Sequence, residues 1–253
     1  MKISIITTTF NSSKTILKCI SSIKNQKYRN IETIWIDNSS TDETYKILNR
    51  YKNNKTKLFQ VQHKSISEAW NIGLKKSTGD IIGFLNSDDF LSNENTIKKI
   101  AEAFKIRKCD CVYTDVFYVN NKGKIIRNWK ANEYSNKNQT YEYFNNKLEF
   151  GWMAPHPGLY VKKNLINKIG FFNNTYKVSF DYDFIIRLLK YKKIKAFYLP
   201  IVSVKMLTGG NSNKIKNIIC KMKEDFKIIK RHKIGGYKTL FLKNISKLNQ
   251  FFR

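Results

Sequence analysis

Along residues 1–119 two hydrophobic periods alternate. Five short runs are continuously apolar or rich in β-branched residues: "KISIITTTF" (2–10), "IETIWID" (31–37), "KLFQVQ" (57–62), "DIIGFLN" (80–86) and "CDCVYTDVFYV" (109–119). They read as strands, the first buried on both faces. Between them, apolar residues recur every three or four positions. In "NSSKTILKCISSIKNQ" (11–26) the stripe is Ile16, Leu17, Ile20 and Ile23, behind Asn11, Ser12 and Ser13 as capping candidates. "NSSTDETYKILNRYKN" (38–53) has caps, then acids, then an apolar stripe; "SISEAWNIGLKKS" (65–77) stops at Gly79; "NENTIKKIAEAFKIRK" (93–108) completes a set of four helices. Strands alternating with helices predict an α/β fold, a mostly parallel sheet with helices on both faces. In such sheets ligands bind outside the carboxyl ends of the strands.

Beyond residue 119 the pattern is less regular. "NNKGKIIRNWK" (120–130) reads as a hairpin limb turning at Asn121 to Gly123, and "PHPGLYVKK" (155–163) as a strand. "NLINKIGFF" (164–172) is a short helix ending near Gly170, and "FDYDFIIRLLKYKK" (180–193) an amphipathic helix opened by acids. "KAFYLPIVSVKML" (195–207) is a last strand, broken at Pro200. After Gly209 and Gly210, residues 213–253 form a basic tail of helical pattern. Its apolar Ile218, Ile219, Met222, Phe226 and Ile229 are bordered by lysines, and Gly235 and Gly236 divide it in two. Such a segment either lies in an anionic membrane interface or packs its stripe on the preceding domain.

Composition narrows the partners. Lys and Arg number 47 against 19 Asp and Glu, a formal net charge of +28, which favours anionic surfaces or phosphorylated substrates. The lysines are spread along nearly every helix rather than focused beside aromatics or on one recognition helix, so nucleic acid is not the expected partner. No stretch reaches the roughly 18 apolar residues of a membrane span. "MKISIITTTF" is too short and Thr-rich for a secretory leader. Four scattered cysteines do not make a disulfide framework; Cys109 and Cys111, on one strand face, read as small buried side chains. The expected location is therefore the cytoplasm, with a peripheral place at the inner face of the membrane.

The candidate chemistry is carried by carboxylates. Asp37 ends the second predicted strand, and Asp88 and Asp89 follow the fourth, so the three converge on one sheet edge. An oxygen-rich edge suits Mg²⁺ or Mn²⁺. Asn86, Ser87, Asp88 and Asp89 also suit a plain capped turn. Asp181 and Asp183 open the later helix; two apart, they do not share a face. First-turn charge would explain either one.

Further motifs, taken in order, resemble the family 2 glycosyltransferases: "ISIITTTFNSSKTILKCISSI", "IETIWIDNSSTDET", "EAWNIGLKKSTGDIIGFLNSDD", "HPGLYVKKNLINKIGFFN", "FDYDFIIRLL" and "TGGNS". The resemblance covers residues 1 to about 212 and implies a GT-A fold. A nucleotide-sugar-binding half (1–118) would precede an acceptor and base half (119–212), with the basic tail at 213–253. It also implies a nucleoside-diphosphate sugar donor and a glycan or lipid-linked glycan acceptor. By resemblance Asp37 meets the nucleotide base, Thr7, Thr8 and Thr9 line its pocket through their backbone, and Asn71, with Glu68, lies on the helix facing it. Asp88, with Asp89, holds the metal on the diphosphate beside Asn86 and Ser87; Asn86 stands where many relatives carry the first Asp of D-x-D. Asp181, six residues before Arg187, is the base. His156 and Arg187 are placed on the acceptor or phosphate side. Trp152 either stacks on a sugar there or is a core residue. Ser212, in Gly209 to Ser212, belongs either to a loop folding over the phosphates or to a plain helix stop followed by a cap. A nucleotidyltransferase would instead carry a Gly-rich loop after the first strand, where this chain has "TTTFNSSK".

Overall fold

In the computed structural model, which describes residues 1–131, 137–208 and 215–248, nine strands of the described residues share one sheet. The first half follows the alternation of the sequence. β1 (Ile3–Thr9), β2 (Ile31–Asp37), β3 (Thr56–Gln60) and β4 (Ile81–Phe84) are parallel, and α1 (Ile16–Lys24), α2 (Thr44–Tyr51) and α3 (Ile66–Lys76) connect them. Successive strand residues point to opposite faces, and both faces are covered: Ile6 and Ile34 enter one core, Ile5 and Trp35 the other. This double burial is why the strands read as unbroken apolar runs.

The strand order begins β3-β2-β1-β4. The chain winds outward from β1 to β3, then returns to place β4 on the other side of β1. That reversal opens a crevice at the carboxyl ends of β1 and β4. The register pairs Thr9 with Asp37 and Ile6 with Phe84, so the loops after all three strands leave from the same edge.

The second half does not form a separate layer. β8 (Leu159–Lys162) inserts antiparallel between β4 and β6 (Cys111–Val119), which follows α4 (Thr96–Arg107). β9 (Ala196–Leu207) lies parallel to β6, and the two-residue β5 (Phe90–Leu91) pairs with its other side. β7 (Ile125–Trp129) returns along β6 through the turn expected at Gly123, whose φ is +79°. Two expectations change. β9 is not broken at Pro200: the register passes from Tyr113 opposite Tyr198 to Asp115 opposite Val202, so Pro200 falls in a bulge where its missing N–H costs no ladder bond. Cys109 and Cys111 enter different cores, because β6 starts only at Cys111.

Helix α5 (Tyr141–Glu149) has no counterpart among the expected elements, although Tyr141, Phe144 and Leu148 keep helical spacing. α6 (Lys163–Ile169) and α7 (Phe180–Leu189) follow, then α8 (Ile215–Arg231) and α9 (Tyr237–Leu248). Of the two fates open to the basic segment, packing accounts for one face: Ile228, Ile229 and Ile234 are buried in the same core as Ile6 and Phe84. No helix of the described residues is long and apolar enough to cross a membrane.

Candidate active site

The crevice at the switch point opens into a cleft of about 1330 Å³. Thr8 and Thr9 of β1, the Asn86–Asp88 loop after β4, His156, and Asp181 at the start of α7 all line it. The acid-rich loop divides its two carboxylates by environment. The Asn86 side-chain amide donates to Asp89 Oδ2 (2.8 Å), and the Asp89 N–H closes the turn on the Asn86 carbonyl (3.1 Å). Asp89 is buried and also receives the Leu207 N–H. Burial and the Asp88 charge raise its carboxyl well above the ordinary range, against the pull of Asn86 and Leu207. Asp89 therefore holds the loop to β9 rather than lining the cleft, which corrects its expected place beside Asp88. An Asp at position 86 would set a third charge against Asp89; the amide donates to it instead.

Asp88 is left facing the cleft. Burial raises its carboxyl above the ordinary range, and among the described residues it has no ion-pair partner. Ser87, tied to Ser12 by a 2.8 Å hydroxyl contact, lies beside it. A lone carboxylate flanked by amide and hydroxyl oxygens is a hard donor set that fits Mg²⁺ or Mn²⁺ when a diphosphate supplies further oxygens. Among the described residues no group of three or more His, Cys, Asp or Glu could hold a metal alone.

On the nucleotide side the cleft is built indirectly. Asp37 is buried and does not line it. Its carboxylate accepts from the Thr9 hydroxyl (2.7 Å), the Ser40 N–H (2.9 Å) and the Ser40 hydroxyl (2.6 Å). It thus shapes the turn that carries Asn38 into the lining. Thr7 is buried away from the cleft. Asn71 is also absent from the lining: its side chain donates to the Phe172 carbonyl (2.9 Å) and accepts the Phe172 N–H (2.9 Å), pinning α3 to the loop before α7. Glu68 accepts the Lys64 N–H (2.9 Å), an N-terminal cap of α3. In their place Phe10, His63 and Ile66 line the wall; Phe10 falls within a motif quoted for the family, His63 and Ile66 in none.

The base helix α7 is clamped from below. Asp183 is buried; its carboxylate accepts from Arg187 Nε (2.9 Å) and pairs with His232 Nε2 (2.8 Å). Burial opposes its charge, but His232 and Arg187 outweigh that and hold its carboxyl below the ordinary range. Arg187 spends its other nitrogens on the carbonyls of Ile169, Gly170 and Phe171 (2.7–2.9 Å), so it braces α7 and does not reach the cleft. This corrects its expected place on the phosphate side. Asp181, partly exposed on the opposite face, accepts the Tyr182 N–H (2.8 Å).

Glu224 of α8 carries no motif signal, yet its carboxylate accepts three consecutive backbone N–H groups just before α7, those of Lys177 (2.7 Å), Val178 (2.9 Å) and Ser179 (2.8 Å). Beside it, Asp225 pairs with Lys243 of α9 (2.5 Å), whose ammonium sits 3.4 Å over the Tyr182 ring. Burial pushes that ammonium down to about 8, against the pull of Asp225.

His156 stacks on Trp70 (ring centroids 4.4 Å apart), and Trp70 donates its indole N–H to Thr8 (3.2 Å). Burial pushes the imidazole down to about 4 despite the Asp181 charge, so it is neutral at pH 7, and its Nδ1 has no partner among the described residues. Trp152 lines the cleft with its indole N–H fixed on the Ala131 carbonyl (2.7 Å). Ser212 lies outside the described residues.

Comparison with known proteins agrees with this geometry. The family model for glycosyl transferase family 2 matches residues 4–170, more than half of the chain. The chain is similar to chondroitin synthase of Escherichia coli, 26% identical over 98% of this chain and 36% of that protein. It is likewise similar to hyaluronan synthase of Pasteurella multocida, 27% identical over 90% of this chain and 22% of the relative. It thus spans about a third or less of these relatives. Among solved structures, S. aureus TarS 1–349 in complex with UDP-GlcNAc superposes with a TM-score of 0.70 at 21% identity, covering 100% of this chain and 73% of that one. The mannosyltransferase PcManGT of Pyrobaculum calidifontis, in complex with GDP-Man and Mn²⁺, gives 0.66 at 16% identity over 96% of this chain and 68% of its own. The likeness to these structures establishes the GT-A fold. On the family match, carried by the segments that build the acid loop and the crevice, the chain belongs to glycosyl transferase family 2.

Proposed function

We propose that the chain moves a hexose from a nucleoside-diphosphate sugar, most simply a UDP-sugar, to a hydroxyl of a glycan or lipid-linked glycan, with inversion, in surface polysaccharide synthesis. The observation that carries this reading is the meeting of Asp88 and Asp181 in one cleft, while Asp89 and Asp183 are both consumed by structural bonds. The UDP-GlcNAc complex of TarS and the polysaccharide-synthase names of the relatives support the choice of donor and product.

Asp181 takes the proton of the acceptor hydroxyl. The freed oxygen attacks the anomeric carbon opposite the diphosphate, its new C–O bond forming as the bond to the diphosphate breaks, and configuration inverts. Asp88, with the Asn86 and Ser87 oxygens, would hold Mg²⁺ or Mn²⁺, which neutralises charge on the leaving diphosphate. Neutral His156 offers a hydrogen bond from the cleft wall without adding charge.

The test is UDP release from a panel of UDP-sugars with Mn²⁺, Mg²⁺ or EDTA. Slow release that needs the metal and vanishes in Asp88→Ala is expected. Asp181→Asn should keep donor binding and lose about 10²–10⁴-fold in turnover. Full activity in EDTA would refute the metal role, and an active Asp181→Asn enzyme the assignment of the base.

A further inference from the structure

Helices α8 and α9 bury one face in the core and leave a second apolar face uncovered by the described residues. On α9 Tyr237, Phe241 and Ile245 follow one another at four-residue spacing and are 76%, 64% and 37% exposed. On α8 Ile218, Ile219 and Met222 are exposed. The Phe226 ring stacks on Tyr237 with centroids 4.4 Å apart, so the two stripes meet. Ile218 and Met222 also line the cleft, so the apolar face runs into its mouth.

The charges around this face have one sign. Lys223, Lys227, Lys230, Arg231, Lys233 and Lys238 are exposed. The acids between residues 215 and 248 are Glu224 and Asp225, and both are buried, one on the backbone N–H groups before α7, the other on Lys243. A second copy of the chain would present the same positive charge and repel. A nucleic acid backbone would satisfy the lysines and leave the apolar side chains in water.

We propose that this face docks the protein on an anionic lipid bilayer, with Tyr237, Phe241 and Ile245 in the headgroup region, the lysines on lipid phosphates, and the cleft mouth at the lipid surface. An amphipathic pair of helices edged by cations binds such an interface through both terms, and each lysine near it changes partition by roughly fivefold. A lipid-anchored acceptor would then reach Asp181 without leaving the membrane; that consequence alone rests on the glycosyltransferase reading.

The experiment is co-sedimentation of the full chain with phosphatidylcholine vesicles, with and without phosphatidylglycerol. Three variants accompany the wild type: Tyr237→Ser/Phe241→Ser/Ile245→Ser, Lys223→Gln/Lys227→Gln/Lys230→Gln, and Phe241→Trp. The wild type should pellet only with the anionic vesicles, and less as salt rises. Either triple variant should weaken binding at least tenfold, with vesicle-free UDP release unchanged. The emission of the Phe241→Trp variant should shift to the blue on the vesicles and be quenched by brominated lipid. A wild type that stays in solution, an apolar triple variant that pellets as well as the wild type, or a Phe241→Trp variant whose emission is indifferent to vesicles overturns the proposal. So does a wild type that dimerises without lipid and is made monomeric by the apolar variant. Vesicle binding without any UDP release would sink the catalytic reading and leave the docking standing.

Discussion

Replacing Glu224 by Ala removes a carboxylate 2.7–2.9 Å from three successive backbone N–H groups while leaving the helix that carries it intact. Hydrogen bonds to a charged acceptor are worth about 1.5–3 kcal/mol each, and a buried N–H left without a partner costs about 1–3 kcal/mol. Ser179 is fully buried, whereas Lys177 and Val178 reach solvent, so water can repair two of the three. A loss of about 3–5 kcal/mol is therefore expected for Ala, and about 1–2 kcal/mol for Gln, which keeps one acceptor oxygen but turns an N–H₂ toward the donors. For a chain of this size 1 kcal/mol moves Tm by about 2–4 °C, so Glu224→Ala should melt roughly 6–20 °C lower. Because Ser179 is two residues from Asp181, the loosened entry to α7 should lower kcat for transfer more than it raises KM for the donor. Thermal melts followed by UDP-release kinetics below both midpoints separate the two effects, and Glu224→Gln should recover part of each. If Glu224→Ala melted with the wild type and turned over normally, the claim that α8 sets the base would be refuted.

Asp183→Asn should reverse the pattern expected of Asp181→Asn. It breaks the buried pairing with Arg187 and His232, so stability should fall by about 2–4 kcal/mol while kcat of the folded fraction stays within a few-fold; urea midpoints beside kinetics would check this. Glu32 supplies a pH signature. Burial opposes its charge, but Lys57, Ser4 and Thr78 outweigh that and bring its carboxyl from 4.5 down to about 2. Between those values the unfolded chain binds the proton and the folded one does not, so its stabilisation is complete above 4.5 and is lost as pH falls through about 2. Glu32→Gln should be less stable at pH 7 and show a flatter acid decline; an unchanged slope between about pH 5 and 2 would refute the assignment.

The alternation of periods was enough to determine the parallel half of the sheet, because strands buried on both faces and helices buried on one leave different marks in the order of residues. The converging acids and their motif context likewise pointed to Asp88 and Asp181. What the residues by themselves, without the family resemblance, could not decide was which member of each close pair is free. Asp88 and Asp89 are neighbours in the chain, yet only the fold brings the Asn86 amide and the Leu207 N–H onto Asp89. Asp183 is taken by His232, 49 residues away. Arg187 and Asn71 looked like ligand contacts and are braces, since their partners are carbonyls and N–H groups of distant loops, and backbone groups have no sequence code. The fate of the basic segment was undecided for the same reason. A stripe of apolar residues at helical spacing specifies a face to be covered, but not what covers it. Packing placed Ile228 and Ile229 in the core, aimed Glu224 at the start of α7, and left Tyr237 and Phe241 outside.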